Sequence, residues 1–261
     1  MKTLAILQAR VSSSRLPRKV LLPILGEPML FRQIERIRRA TRIEQLVVAT
    51  STDPSDDALA SECATRGIGC FRGSLDDVLD RFYRIAVSFQ PANIVRLTGD
   101  CPLADPELID RIIEFHAKGN YDFVSNAIEP TFPDGLDMSV FRFRLLNEAW
   151  HEAQLPSERE HVTIFMKQHP QRYKIGSYKE SPDRSYMRWT VDEAADFAFV
   201  SAIYERLFPG EPDFDSEDIY RLLEEHPELL CLNSGIGRNE GLQRSLQKDN
   251  EWKSHNEKQN P

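Results

Sequence analysis

The residues best equipped for chemistry come early in the chain. From Leu7 to Leu21 the sequence reads LQARVSSSRLPRKVL, with Arg10, Arg15, Arg18 and Lys19 inside ten positions and three serines among them. An ordinary turn between a strand and a helix needs only a few polar residues. Arginine grips phosphate oxygens two at a time, lysine adds a compact point charge, and hydroxyls and backbone N–H groups serve the remaining oxygens. The stretch therefore reads as a triphosphate cradle or, more plainly, as a solvated basic loop beside an interface. It is not a Walker loop, because GxxxxGK[ST] is absent. Pro17 would stiffen the turn that presents Lys19. A carboxylate that could face such a cradle lies much later, at Asp100 in LTGDCP, where an apolar run ends. Mg²⁺ takes one or two carboxylates plus phosphate oxygens and water, so Asp100 suits it. Capping the turn before Pro102 is the plainer role.

Elements must bring these positions together. Leu4 to Ala9, Gln45 to Thr50, Asn93 to Asp100 and Tyr121 to Asn126 read as buried strands. Helices separate them. Asp105 can cap one that has Pro106 at its first position and Gly119 just past its end, with Leu108, Ile109, Ile112, Ile113 and Phe115 at helical spacing. Ser74 precedes a second, with Leu75, Val78, Leu79, Phe82 and Ile85 on one face, and Pro28 opens a third through Arg39. This alternation predicts an α/β fold, a mostly parallel sheet covered on both faces. Ligands of such sheets sit at the carboxyl ends of the strands, near a topological switch point.

Beyond Asn126 the pattern turns to α+β. DGLDMSVFRF leads a strand into a helix ending near Gln154, and SEREHVTIFMKQHP reads as one helix stopping at Pro170. RYKIGSYK and SYMRWTV are strand candidates, and AADFAFVSAIYERLF and SEDIYRLLEEHPELL are helices. With no repeat and no clean linker, residues 1–246 are expected to form one domain and 247–261 a polar, disordered tail. GIGRNEG, Gly235 to Gly241, is rejected as a dinucleotide fingerprint: its spacing is wrong and it opens no βαβ unit.

The 261 residues carry a net charge of −8, which disfavours nucleic-acid binding through the global field. Cys63, Cys70, Cys101 and Cys231 show no zinc or CxxC spacing and read as reduced thiols. MKTLAILQAR is too short an apolar start for a signal peptide, and no stretch approaches the ~20 apolar residues of a membrane span. A cytoplasmic protein with no membrane partner is expected.

Several blocks resemble the cytidylyltransferase family, which includes CMP-KDO and CMP-acylneuraminate synthetases, and within it the SpsF branch of spore coat polysaccharide biosynthesis. ARVSSSRLPRK is similar to the signature A-R-x-x-S-x-R-L-P-x-K. GEPML, VVATS, FRGSLDDVLDRF, RLTGDCPLADPELID, PDGLDMSVF, EREHVT and RWTVDEAADF follow in family order, and the likeness spans Thr3 to Leu246. It implies a Rossmann-like nucleotidyltransferase fold of the glycosyltransferase-A type, with a mostly parallel mixed sheet and a C-terminal α+β part. It implies a Mg²⁺-dependent enzyme that joins CTP to an acidic sugar and releases pyrophosphate, in surface polysaccharide or nonulosonic-acid synthesis, commonly as a homodimer. By position, Arg10, Ser13, Arg15 and Lys19 would contact the phosphates, and Asp100 and Asp192 would hold the metal, with Lys19 beside them in catalysis. Arg72 and Asp77 would lie by the base and ribose. Asp134, Asp137, Arg159, Glu160, His161 and Arg188 would surround the acceptor, Arg159 holding its carboxylate and His161 acting as a base.

Plainer roles stand beside these. Asp192 could cap the next helix, Asp76, Asp77 and Asp80 could simply complement a helix dipole, and His161 could be structural. Arg18 departs from the family, many members of which have glycine there. The same fold hosts glycosyltransferases, and a related enzyme could use another nucleotide or a sugar 1-phosphate. The one DxD triplet, Asp213 to Asp215, precedes a late helix rather than following a central strand. A third class is a binding protein that keeps the fold without turnover.

Overall fold

In the first strand, β1 (Thr3–Gln8), Leu4 and Ile6 face one side of the sheet while Ala5 and Leu7 face the other, and all four are fully buried. A continuous apolar run of this kind needs helices on both faces. The computed structural model describes residues 2–238, 247, 249–252 and 254. A small hairpin, β2 (Pro23–Ile24) with β3 (Glu27–Pro28), leads into α1 (Met29–Ile37). Then β4 (Gln45–Ser51), α2 (Asp57–Thr65), β5 (Gly69–Gly73), α3 (Val78–Phe89), β6 (Asn93–Thr98) and α4 (Pro106–Lys118) alternate. The second half holds β7 (Phe123–Ser125), β8 (Ser139–Arg142), α5 (Phe143–Glu152), α6 (Pro156–His161), α7 (Ile164–Gln168), β9 (Ile175–Ser177), α8 (Ala194–Leu207) and α9 (Ser216–Glu225).

The sheet order is β5-β4-β1-β6-β8-β7-β9. Only β8 runs against its neighbours, so the sheet is parallel with one reversed strand. The chain moves from β1 outward to β4 and β5, then returns to place β6 on the other side of β1. That return is the switch point. The loop after β1 and the loop after β6 meet there.

Most predicted elements are present where the spacing put them. Asp105 caps α4 by accepting from Leu108 N at 2.8 Å, Pro106 opens it, and Gly119 ends it. Four expectations are corrected. The helix after Ser74 starts only at Val78, because Asp77 is its cap and accepts from Asp80 N at 2.9 Å; Leu75 lies outside it. The helix predicted after Pro28 stops at Ile37. SEREHVTIFMKQHP is two helices, since Val162 takes φ 53 and ψ −51 in a γ-turn closed by Thr163 N on the His161 carbonyl. SYMRWTV is not a strand: its backbone stitches two loops instead of pairing in a ladder. Trp189 N and Thr190 N donate to Asp134 O, and Val191 N donates to Asp100 O at 2.8 Å. The tail falls mostly outside the described residues. Within it, however, Asp249 is helical and buried, and accepts from Ser157 N at 2.9 Å and Ser157 Oγ at 2.6 Å.

Candidate active site

The cradle is folded by its own backbone. Ser13 N and Arg18 N both donate to the Val11 carbonyl, at 2.9 and 3.1 Å, and Ser13 Oγ accepts from Leu16 N at 3.4 Å. Asp56 pins the loop to β4. It is fully buried, and it accepts from Val11 N at 2.6 Å, Ser51 N at 3.0 Å and the Ser51 hydroxyl. Nothing in the spacing near Asp56 marks it, since its partner lies 45 residues away. Replacing Asp56 by alanine should cost about 2–3 kcal/mol, because Val11 N and the Ser51 donors are left unsatisfied. Thermal melting of the variant reads that loss, and nucleotide binding should weaken with it as the loop loosens.

Arg18 adopts the left-handed conformation, φ 60 and ψ 20, and its side chain is exposed. This accounts for glycine being tolerated there, since a non-glycine residue in that region costs roughly 1–2 kcal/mol. Arg18→Gly should therefore fold at least as stably as the parent. A melting temperature several degrees lower would show that the Arg18 side chain contributes contacts of its own.

Two carboxylates converge on Lys19. Its Nζ lies 2.9 Å from Asp192 Oδ1 and 3.6 Å from Asp100 Oδ2, and donates to the Val191 carbonyl at 2.7 Å. Arg15 Nη2 reaches Asp192 Oδ2 at 2.9 Å. Burial opposes the Lys19 charge, but Asp100 and Asp192 outweigh it and hold the ammonium above the usual lysine range. Burial also opposes the Asp192 charge, yet Lys19, Arg15 and Arg188 hold that carboxyl below its usual range. Both groups are thus firmly ionised at neutral pH. Gly99 lets the end of β6 lie close enough to position Asp100: a Cβ there would meet Ala9 Cβ at 2.8 Å and Leu30 Cδ1 at 2.9 Å.

Asp192 is free of the capping role. The cap of α8 is Glu193, and Asp196 reaches back to accept from Glu193 N at 3.0 Å and Asp192 N at 2.9 Å. Asp196 is fully buried and also takes Arg188 Nε at 2.9 Å, Arg188 Nη2 at 3.1 Å and Asn233 Nδ2 at 3.1 Å. Arg188 is a hub: it touches Asp134 at 2.9 Å and Asp192 at 3.2 Å as well. The loop that carries Asp134 and Gly135 packs tightly beneath it. At Gly135, φ 115, a Cβ would stand 2.4 Å from Thr190 N, so only glycine fits.

The other predicted residues fall into two groups. Asp134 and Asp137 join the site. Burial and the neighbouring Asp137 push the Asp134 carboxyl up to about 6, and burial pushes Asp137 up as well. Arg72 and Asp77 sit across β5 and the start of α3. Arg72 is tied to Ser51 O at 2.9 Å and to Asp57 at 2.6 Å. Asp77 and Arg159, expected in different subsites, clasp each other, and Arg159 Nη1 also donates to Trp150 O at 3.0 Å. Arg159 is therefore poorly placed to receive a further carboxylate. Glu160 and His161 lie partly exposed in the last turn of α6. Arg10 is exposed at the loop mouth, and its charge adds to the burial that lowers Arg81 to about 10. Sequence reasoning missed Asp56, Asn233 and Arg238, and noted Asp196 only as a residue that could be confused with Asp192.

A parallel sheet with one reversed strand brings a basic loop and two carboxylates together at its switch point, where ligands of such sheets bind. The chain belongs to the cytidylyltransferase family, whose profile matches residues 4–224. It is 35% identical to the spore coat polysaccharide biosynthesis protein SpsF of Bacillus subtilis over 236 residues, which is 86% of this chain and 95% of that one. Among solved structures it resembles a cytidylyltransferase from Leptospira borgpetersenii serovar Hardjo-bovis, with TM-score 0.84, 29% identity, and coverage of 91% of this chain and 100% of that one. The fold also matches CMP:2-keto-3-deoxy-manno-octonic acid synthetase solved with CTP, with TM-score 0.61 and 17% identity over 79% of this chain and 99% of that one. No helix among the described residues is long and apolar enough to cross a membrane.

Proposed function

We propose that this enzyme joins CTP to an acidic sugar, giving a CMP-sugar and pyrophosphate. The observation that supports nucleotidyl transfer is the placement of the Lys19 ammonium between Asp100 and Asp192, beside Arg15, at the switch point of the sheet; the choice of CTP and an acid rests on the likeness to cytidylyltransferases. The donor set fits Mg²⁺. Among the described residues no cluster of three or more metal-ligating side chains exists, and Mg²⁺ needs no such cage when phosphate oxygens and water complete its shell. Asp100 and Asp192 would hold it, and when bound it would neutralise charge on the phosphate oxygens.

The protein's own groups do the rest. Arg10, Ser13, Arg15 and Lys19 bind the triphosphate, Arg15 and Lys19 exchanging a carboxylate partner for phosphate oxygens. Arg188, held by Asp196, keeps Asp134 and Asp192 in place. Asp134 accepts hydrogen bonds from acceptor hydroxyls. An acceptor hydroxyl attacks the α-phosphorus and gives up its proton to solvent, the bond to the β-phosphate breaks, and the leaving pyrophosphate stays paired with the loop cations, which stabilise the charge that builds up.

The glycosyltransferase alternative loses its motif here. Asp215 caps α9 by accepting from Asp218 N at 3.0 Å, and Asp213 pairs with Arg39 at 3.3 Å, so the DxD carboxylates serve structure. The test is pyrophosphate release with Mg²⁺, each of CTP, UTP, GTP and ATP, and a panel of acidic sugars. Release with CTP and an acid supports the reading. Consumption of a sugar nucleotide without pyrophosphate would overturn it.

A further inference from the structure

The stretch after α9, rejected above as a dinucleotide motif, returns to the site. Asn233 Nδ2 donates to Arg188 O at 2.9 Å, and Arg188 Nη1 lies 3.4 Å from Gly237 O. These contacts deliver Arg238 to the acceptor side of the carboxylates. It clasps Asp137, lies 3.9 Å from Asp134, and donates to Phe132 O at 3.4 Å.

An acidic acceptor faces an obvious difficulty at this end of the site. Asp100, Asp134 and Asp137 act on one another there, and their combined charge repels a further carboxylate. Some cation must receive it. Arg96 and Lys167 also act on Asp137, but Arg96 donates to Gln8 Oε1 at 3.1 Å, and among the described residues Arg238 is the cation hydrogen-bonded to Asp137. Arg188 has no donor to spare, being shared among Asp134, Asp192, Asp196 and Gly237 O. Arg159 is locked to Asp77. Lys19 and Arg15 serve the phosphate side. Arg238 is only partly buried, with 19% of its side chain exposed, and its main partner is a single side-chain carboxylate. Exchanging one carboxylate for another in a guanidinium fork keeps the charge-assisted bonds intact.

We propose that Arg238 is the acceptor-specificity residue: it binds the carboxylate of the acidic sugar, and Asp137 is the internal stand-in that the sugar displaces. This rests on the reading of the site as a nucleotidyltransferase with an acidic acceptor.

The test measures binding, not turnover. Calorimetric titration of the whole protein uses 2-keto-3-deoxy-manno-octonate, N-acetylneuraminate and gluconate, with mannose and glucose 1-phosphate as controls, and CTP titrated separately. At least one acid should bind the wild type while mannose does not. Arg238→Gln should weaken that acid roughly 10- to 100-fold, the range of a lost charged hydrogen bond, with CTP binding unchanged. Asp137→Asn should do the opposite and tighten it, because the internal competitor is gone. If Arg238 merely holds Asp137 in place, both variants weaken binding alike, and the proposal fails. It fails too if no acid binds the wild type, or if glucose 1-phosphate binds in their place. Loss of CTP binding by the wild type would instead count against the nucleotidyltransferase reading, leaving the acid result to stand by itself. Should Arg238→Gln not fold, the direction of the Asp137→Asn change still decides.

Discussion

Asp100→Asn should lose about three orders of magnitude in turnover while melting within a few degrees of the parent. The two halves of that expectation have different causes. Its side chain is 29% exposed and approaches Lys19 only at 3.6 Å, an ion pair of the kind worth about 0–1 kcal/mol to stability. The structural work of Asp100 passes through its backbone carbonyl, which accepts from Val191 N at 2.8 Å and Thr190 Oγ1 at 3.2 Å and survives the substitution. What is lost is one of two negative charges facing the phosphate cradle. Pyrophosphate release and thermal melting on the same preparation check both halves. Near-normal turnover would remove Asp100 from the catalytic group, and a large fall in melting temperature would show that its side chain holds the fold.

Asp196→Ala should do the reverse and damage the fold first. Asp196 is wholly buried and receives Arg188, Asn233 and the backbone N–H groups of Asp192 and Glu193. Removing one side of a buried ion pair leaves the other charge uncompensated and costs about 3–5 kcal/mol. For a chain of this size that corresponds to a melting temperature lower by roughly 10 °C. Activity should fall with it, since Arg188 loses its anchor and Asp192 its fixed backbone. Asp196→Asn should recover part of both, because an amide oxygen still accepts the N–H groups. A variant as stable as the parent would mean that the cap and the Arg188 fork are independent of Asp196.

These two residues also show what the sequence could and could not disclose. The place of Asp100 at the end of an apolar run was legible, and strand ends in parallel sheets are where ligands sit, but the run alone favoured a turn cap and the family likeness was needed to suggest a metal ligand. The cradle was legible because its cations exceed what a turn needs. Asp192 could be read as ligand or cap, and the cap reading is removed by the residues that follow: Glu193 is the cap, and Asp196 supplies the reach-back bonds. Asp56 and Arg238 were invisible for a shared reason. Each acts on a partner far along the chain, Val11 for one and Asp137 for the other, and periodicity carries no information at that range. The strand misassigned to SYMRWTV failed differently. Its residues have strand-like chemistry, but Trp189 N and Thr190 N go to Asp134 O and Val191 N to Asp100 O, and among the described residues the segment forms only an isolated bridge, Arg188 with Asp134. Likewise β5, with glycine at both ends and a place at the sheet edge, offered little pattern to read.

The counter-charges of the cradle come from distant parts of the chain, and this bears on its synthesis. Strands β1, β4, β5 and β6 can pair as soon as the first of the chain's halves is made, since domains assemble as they emerge. At that stage Arg15 and Lys19 already flank the switch point, yet Asp192, their shared partner, has not been translated. The nascent half therefore carries the cationic loop with Lys19 facing Asp100 alone, and a phosphate-bearing solute in reach can take the place that Asp192 will fill. The second carboxylate arrives only with Asp192, and the contacts to Asp196 and Asp137 only with Asn233 and Arg238.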